Sequence, residues 1–274
     1  MRGERQSTET LSFRCWRERC RLTRGAAFTL AEGASHGAVS DSHSKAAFTL
    51  AEVLITLGII GVVAAMTLPA LIQKHQKQVT VTSLRKFYSI LAQAKQLSEA
   101  QNGEMTYWQF PNTQTLADVE PFFDKYYRPY MSVINQCKSK QDCLSTYVSS
   151  RPVYTLKDGM QFMFDPNAQT SDCTRNYIYI VVDINGNKAP NKPGRDIFYM
   201  DIFPKRGAVM LGQMSEMDSS FNLGREELKN GVSINEGRDT ACCSEECATP
   251  SFKYYTCGAL IQADGWEIKD DYPW

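Results

Sequence analysis

The chain changes hydrophobic rhythm twice. Twenty uncharged, mostly apolar residues run without a break from Val53 to Ile72. At a helical rise of about 1.5 Å per residue they reach about 30 Å, the thickness of one bilayer hydrocarbon core. Past Ile72 the apolar positions thin out to Val79, Leu84, Phe87, Leu91, Ala94 and Leu97. Spacings of three to five residues put these on one face of an amphipathic helix. Asn102-Gly103 is the stop signal, since both residues accept the left-handed cap conformation. The pattern predicts one continuous helix of about fifty residues, about 75 Å long. Pro69 removes one backbone hydrogen bond and is expected to bend or loosen it. Gly58 and Gly61 lack side chains and allow neighbouring helices to approach.

A short helix is expected over 115–127, with its aromatic residues serving as core or subunit contact. After it the period switches to two. Val153–Leu156 and Met160–Phe164 flank Asp158-Gly159 as a hairpin. Tyr177–Val182 reads as a buried strand. Ile197–Phe203 and Ala208–Leu211 form a second hairpin around Pro204–Gly207. A long helix followed by strands is an α+β order, here with an antiparallel sheet expected to hold four strands. Residues 215–250 read as a polar, cysteine-stapled loop. Ala259–Gln262 and Gly265–Ile268 are expected to return to the body.

The apolar run is entered through Ala47-Phe48-Thr49-Leu50-Ala51-Glu52. A carboxylate at the lip of a membrane span is costly and therefore points to function. These residues, with Gly58, Gly61 and Pro69, resemble the N-terminus of type IV prepilins and type II secretion pseudopilins. The resemblance is strong over roughly residues 45–100, and its one departure is Ala47, where that family usually carries Gly. The resemblance implies a pilin-like fold, with the long helix packed on the sheet. It implies a leader of residues 1–47, a helix over 48–103 and an extracytoplasmic domain over 104–274. It further implies cleavage between Ala47 and Phe48 by a prepilin peptidase, N-methylation of Phe48, and residence in the inner membrane as a single-pass protein. Assembly with other pilin or pseudopilin subunits would follow, with Glu52 meeting the Phe48 amine of a neighbour and Thr49 and Pro69 belonging to the same assembly segment. An irregular, cysteine-rich domain suits a minor subunit of a pilus or pseudopilus. A plain signal anchor needs no Phe-Thr-Leu-x-Glu, and a secretory signal peptide is cut after its apolar core rather than before it.

Charge changes the picture in two places. The totals balance at 30 Lys/Arg against 30 Asp/Glu, which gives no bulk electrostatic case for nucleic acid. Eight basic and five acidic residues precede Phe48, leaving 22 against 25 beyond it. Near the span, Lys45 stands on the leader side against Lys74, Lys77, Arg85 and Lys86 on the other. By the positive-inside rule these near flanks point opposite to the prepilin topology. The leader is long for this family and holds a near-copy of the motif, Ala26–Glu32, with polar residues after it instead of a span. A start codon near Val39 would account for the stretch, and residues 1–40 are expected to be disordered given their composition.

Nine cysteines suit an oxidising compartment. Seven follow the leader: Cys137, Cys143, Cys173, Cys242, Cys243, Cys247 and Cys257. The alternative, a zinc site of Cys242, Cys243, Cys247 and Cys257, lacks a paired C-x-x-C knuckle. Six paired cysteines allow 15 connectivities for each choice of the odd one, and only Cys137–Cys143, closing a small loop, stands out.

One segment is dense in oxygen donors. Asp183, Asn185 and Asn187 alternate like the first ligands of a calcium loop, with Asn191 and Asp196 behind them. The bidentate Glu of an EF-hand is missing, and Asn, Gly and Pro also build tight turns without metal. Calcium is the one cofactor this chain suggests, and a metal-free turn is the competing reading. The three histidines, His36, His43 and His75, lie in the leader or beside the span. With no phosphate loop and no dinucleotide fingerprint, an enzyme is not expected. Two functions remain: a filament subunit, or a single-pass, membrane-anchored extracytoplasmic binding protein that never polymerises.

Overall fold

The computed structural model describes residues 49–113, 115–137, 144, 151–167, 176–211, 223–234 and 239–274. The chain divides into two compact units, 1–53 and 54–274. Of the first, Thr49–Val53 is described, and it holds the start of α1. Helix α1 runs Leu50–Asn102 with Pro69 inside it. It ends as expected: Gly103 takes φ +78°, and its N–H donates to Glu99 O at 3.0 Å.

Order then continues through α2 (Leu116–Tyr126), six strands, α3 (Arg225–Asn230), a two-stranded ribbon and α4 (Cys257–Ala263). The six strands are β1 (Val133–Gln136), β2 (Val153–Leu156), β3 (Gln161–Asn167), β4 (Tyr177–Asp183), β5 (Ile197–Phe203) and β6 (Gly207–Met210). They pair antiparallel in sequential order, a meander. The fold is α+β, as expected, with six strands in place of four. The segments read from sequence supply five of them. The sixth is β1, an edge strand whose register slips between Val133 and Asn135. Both hairpins form where expected. In the first, Gly159 (φ +90°) supplies the left-handed residue and Asp158 Oδ1 accepts the Met160 N–H at 3.2 Å.

Strand alternation sorts the sheet into two buried faces. Tyr154, Leu156, Phe162, Phe164, Ile178, Ile180, Val182, Phe198, Met200 and Ile202 join the main core with α1 and α2. Val153, Met163, Val181, Ile197 and Tyr199 form a second cluster with Leu144 on the opposite face. The α1 side of the core is Thr80, Leu84, Phe87, Leu91, Ala94, Lys95 and Ser98. This corrects the ends of the expected seam, because Val79 and Leu97 are half exposed. Lys95 enters the seam with its ammonium on Glu99 at 2.7 Å, while the same Glu99 oxygen accepts the Met105 N–H at 3.0 Å. The aromatics of α2 are core: Phe123 stacks on Tyr154 at 3.8 Å, and Tyr126 on Trp108 at 4.3 Å.

The described residues within 215–250, namely 223–234 and 239–250, hold regular elements where a loop was expected. They contain α3 and the ribbon of β7 (Val232–Ile234) and β8 (Asp239–Ala241). The tail returns to the body, burying Ile268 and Tyr272. Arg225 holds it there, reaching Asp264 at 2.8 Å and also Asp271, which Lys229 meets at 2.8 Å.

Candidate processing and assembly site

Thr49 and Glu52 form a reciprocal cap. The Thr49 N–H and Oγ1–H both donate to Glu52 Oε2 at 2.8 Å, and Thr49 Oγ1 accepts the Glu52 N–H at 3.2 Å. This is a Thr-x-x-Glu capping box, which satisfies amide hydrogens that the first turn of any helix leaves unpaired. That role was not read from the sequence, although the Thr-x-x-Glu spacing was there to be read. Ala47 and Phe48, the expected cleavage pair, lie outside the described residues.

Beyond the cap, α1 presents apolar surface that no other described part of the chain covers. It is long and apolar enough to cross a membrane, and no residue of its most apolar window is buried. Leu54, Ile55, Leu57, Ile59, Ile60 and Met66 are each at least 59% exposed. A surface of that kind calls for lipid or other helices around it. Among the described residues a Cβ added at Gly58 or Gly61 would meet nothing within 4 Å, so no described neighbour requires either glycine. Pro69 lies in the same exposed stretch, and two residues earlier Thr67 Oγ1 donates back to Val63 O at 3.0 Å.

The oxygen-rich segment closes on itself. Asp183 and Asp196 are buried. Asp183 Oδ1 accepts the Asn185 N–H at 3.1 Å. Asp196 Oδ2 accepts the Asn191 N–H at 2.7 Å and Asn185 Nδ2 at 3.2 Å, and its Oδ1 accepts the Lys192 N–H at 2.6 Å. With its amide nitrogen turned toward the acceptors, Asn191 also donates to Lys188 O at 2.9 Å and Asp183 Oδ2 at 3.1 Å. Asn187 is exposed at the rim. Four of the five candidate ligands therefore converge, but their carboxylates serve as acceptors for amide hydrogens. Among the described residues no three acidic, histidine or cysteine side chains come together as a metal centre. The carboxylate oxygens that a calcium ion would take are here engaged by the amide hydrogens of Asn185, Asn191 and Lys192. Burial and the nearby Asp196 charge push the Asp183 carboxyl up to about 7, against amide hydrogen bonds that pull it down.

Cys242 pairs with Cys247 and Cys243 with Cys257, which replaces the zinc alternative. Cys137 is disulfide-bonded as well. Cys143 and Cys173 lie outside the described residues, so the expected Cys137–Cys143 pairing does too. Cys257 opens α4 and Cys243 follows β8, so the second bridge ties the ribbon to the C-terminal helix.

Two family profiles match the chain. That of the prokaryotic N-terminal methylation motif covers residues 42–68. It contains the cap, the expected cleavage pair and most of the span, so the N-terminus is prepilin-like. The other, described as Family of unknown function (DUF6613), covers residues 70–274. The chain belongs to that family. No curated protein and no solved structure matches it.

Proposed function

We propose that this DUF6613-family chain is a structural, minor subunit of a filament of the type IV pilus or type II secretion pseudopilus kind. It is made as a prepilin, cut between Ala47 and Phe48 by a prepilin peptidase, N-methylated at Phe48 and held in the inner membrane with its domain outside. It then joins other pilin or pseudopilin subunits through α1. The observation that carries this reading is the methylation motif placed directly on an apolar helical surface that the described residues leave exposed. No enzymatic step is part of it.

The capping box favours a second reading. A carboxylate that satisfies its own helix start is useful to any anchor, polymerising or not. The anchored binding protein therefore stays as the rival. Glu52→Gln separates the two, because Gln also completes a capping box but carries no charge. As a filament subunit, the Gln variant is cut and inserted normally yet is missing from sheared or purified filaments. Incorporation of the Gln variant at the wild-type level would reject a role for the charge in assembly.

A further inference from the structure

The charge asymmetry at the span has a structural counterpart. Lys74 and Lys77 stand two and five residues beyond Ile72, which places them about 3 and 7.5 Å past the apolar run. The headgroup layer on each side of a bilayer is about 5–8 Å thick. Both ammonium groups therefore fall at headgroup depth.

Two other segments reach the same level of α1. The C-terminal Trp274 ring lies under Lys77, whose Nζ is 6.0 Å from its centroid, and under Arg195, whose guanidinium carbon is 4.9 Å away. Arg195 is carried by the Asp183–Asp196 turn. Thr80 Oγ1 pins that turn to α1 by donating to Arg195 O at 3.3 Å, and Tyr272 OH pins it to the tail by donating to Gly194 O. Asp196 keeps its shape through the Asn191 and Lys192 amides. Trp274 is thus set between two cations at the level where the apolar run of α1 ends.

We propose that Lys74, Lys77, Arg195 and Trp274 form a seat for the phosphate headgroups of the bilayer that α1 spans. This inference rests on the reading of residues 53–72 as a membrane span. Trp is the residue type that settles at the membrane–water interface, and basic side chains bind anionic headgroups there. Lys74 and Lys77 also line a groove along α1 with Arg85, Trp266, Glu267 and Asp270, where the charges are mixed. Lys86 is already paired with Asp158 at 2.7 Å. Among the described residues Lys74, Lys77 and Arg195 form no ion pair. Basic residues on the translocated flank oppose the positive-inside rule, and a headgroup seat gives them a reason to be there. The seat also gives the oxygen-rich turn a task that needs no metal, which is to present Arg195.

The test is native mass spectrometry of the full chain in detergent, titrated with phosphatidylglycerol and, as a phosphate-free control, with diacylglycerol. Each basic residue at an anionic surface contributes about 1 kcal/mol, so Lys74→Gln/Lys77→Gln/Arg195→Gln should weaken phosphatidylglycerol binding on the order of a hundredfold. Arg85→Gln/Lys86→Gln, about 20 Å beyond Ile72, should leave it unchanged. Free glycerol phosphate at the same concentration should compete only weakly, since it lacks the acyl chains that hold a lipid against α1, and full competition would make this a site for soluble phosphate and overturn the lipid seat. Equal weakening by both variants would reduce the effect to net charge and overturn the seat, as would wild-type binding by the triple variant. Wild-type lipid binding together with failed filament incorporation would give this face to a neighbouring subunit instead. Entry of the chain into nanodiscs is scored separately. A chain that stays out overturns the span and the seat together, whereas a chain that enters without headgroup preference overturns the seat alone.

Discussion

Replacing Asp183 by Asn should flatten the pH dependence of stability. In the folded protein its carboxyl sits at about 7, against an ordinary value of 3.8. The folded state therefore holds this proton more tightly than the unfolded chain does. A raised pKa stabilises fully below the unfolded value and loses that contribution as pH climbs through the folded one. At 1.36 kcal/mol per unit, a shift of about three units amounts to about 4 kcal/mol in the limit, of which about 3 kcal/mol falls between pH 5 and pH 8. The side-chain amide of the Asp183→Asn variant does not titrate. Whatever constant cost it brings by turning a donor toward an amide hydrogen, it cannot reproduce the slope. Urea denaturation of wild type and Asp183→Asn at pH 5 and pH 8 should show the wild type losing about 3 kcal/mol more than the variant. Equal losses would refute the buried, carboxylate-paired environment inferred for this turn.

The same experiment reads the calcium alternative. A cation held by Asp183 and Asp196 stabilises their charged forms, so calcium would raise wild-type stability at pH 8 and leave Asp183→Asn behind. The amide-filled turn predicts no difference at millimolar calcium, because binding would first have to break the hydrogen bonds to Asn185, Asn191 and Lys192.

Three further outcomes follow from the fold and the motif. Phe87 is fully buried with its ring 5.4 Å from Phe162, so Phe87→Ala should cost about 3–5 kcal/mol in denaturant titration. Val79→Ala, half exposed on the same helix, should stay within about 1 kcal/mol. Non-reducing mass mapping should recover Cys242–Cys247 and Cys243–Cys257, and free alkylation of all four thiols would place the domain in a reducing compartment. Mass spectrometry of membrane-extracted protein should find a mature N-terminus at Phe48, and a terminus inside the apolar run would sink the prepilin reading.

The long helix was legible because its signals are local: an unbroken apolar run, a three-to-four spacing and an Asn-Gly stop. Its packing face was less so. Thr80, Lys95 and Ser98 lie in the seam, and a hydrophobicity pattern passes over them. Lys95 is tolerated there only because Glu99 meets its charge, a pairing that becomes visible when the helix is folded. Strand β1 hid for a different reason. It is four residues long, bulged and at the sheet edge, with Ile134 64% exposed. Helix α3 and the β7–β8 ribbon are too short and polar to announce themselves. They are held by distant partners, through the Cys243–Cys257 bridge and the Arg225 contacts to Asp264 and Asp271.

In the candidate site the Thr-x-x-Glu spacing was legible, but the cap it builds was not drawn from it. The sequence leads one to expect Glu52 to meet a neighbour's amine, and in the structure it meets Thr49 inside its own turn. The two roles are compatible, because a carboxylate has two oxygens and about four acceptor sites. Both Thr49 donors converge on Oε2, and among the described residues no hydrogen bond reaches Oε1, which suits it to a donor from outside the turn. The cap would then orient the carboxylate, and an incoming amine would complete it. This ordering makes Thr49 a positioning residue with its own test. Thr49→Val deletes the hydroxyl that both donates to Glu52 and accepts from its N–H, but it keeps the Thr49 N–H bond and the charge. Weakened but measurable filament incorporation is the expected result for Thr49→Val, against none for Glu52→Ala. If Thr49→Val abolishes incorporation while Glu52→Gln retains it, the cap is what assembly requires, and charge pairing has no part in it.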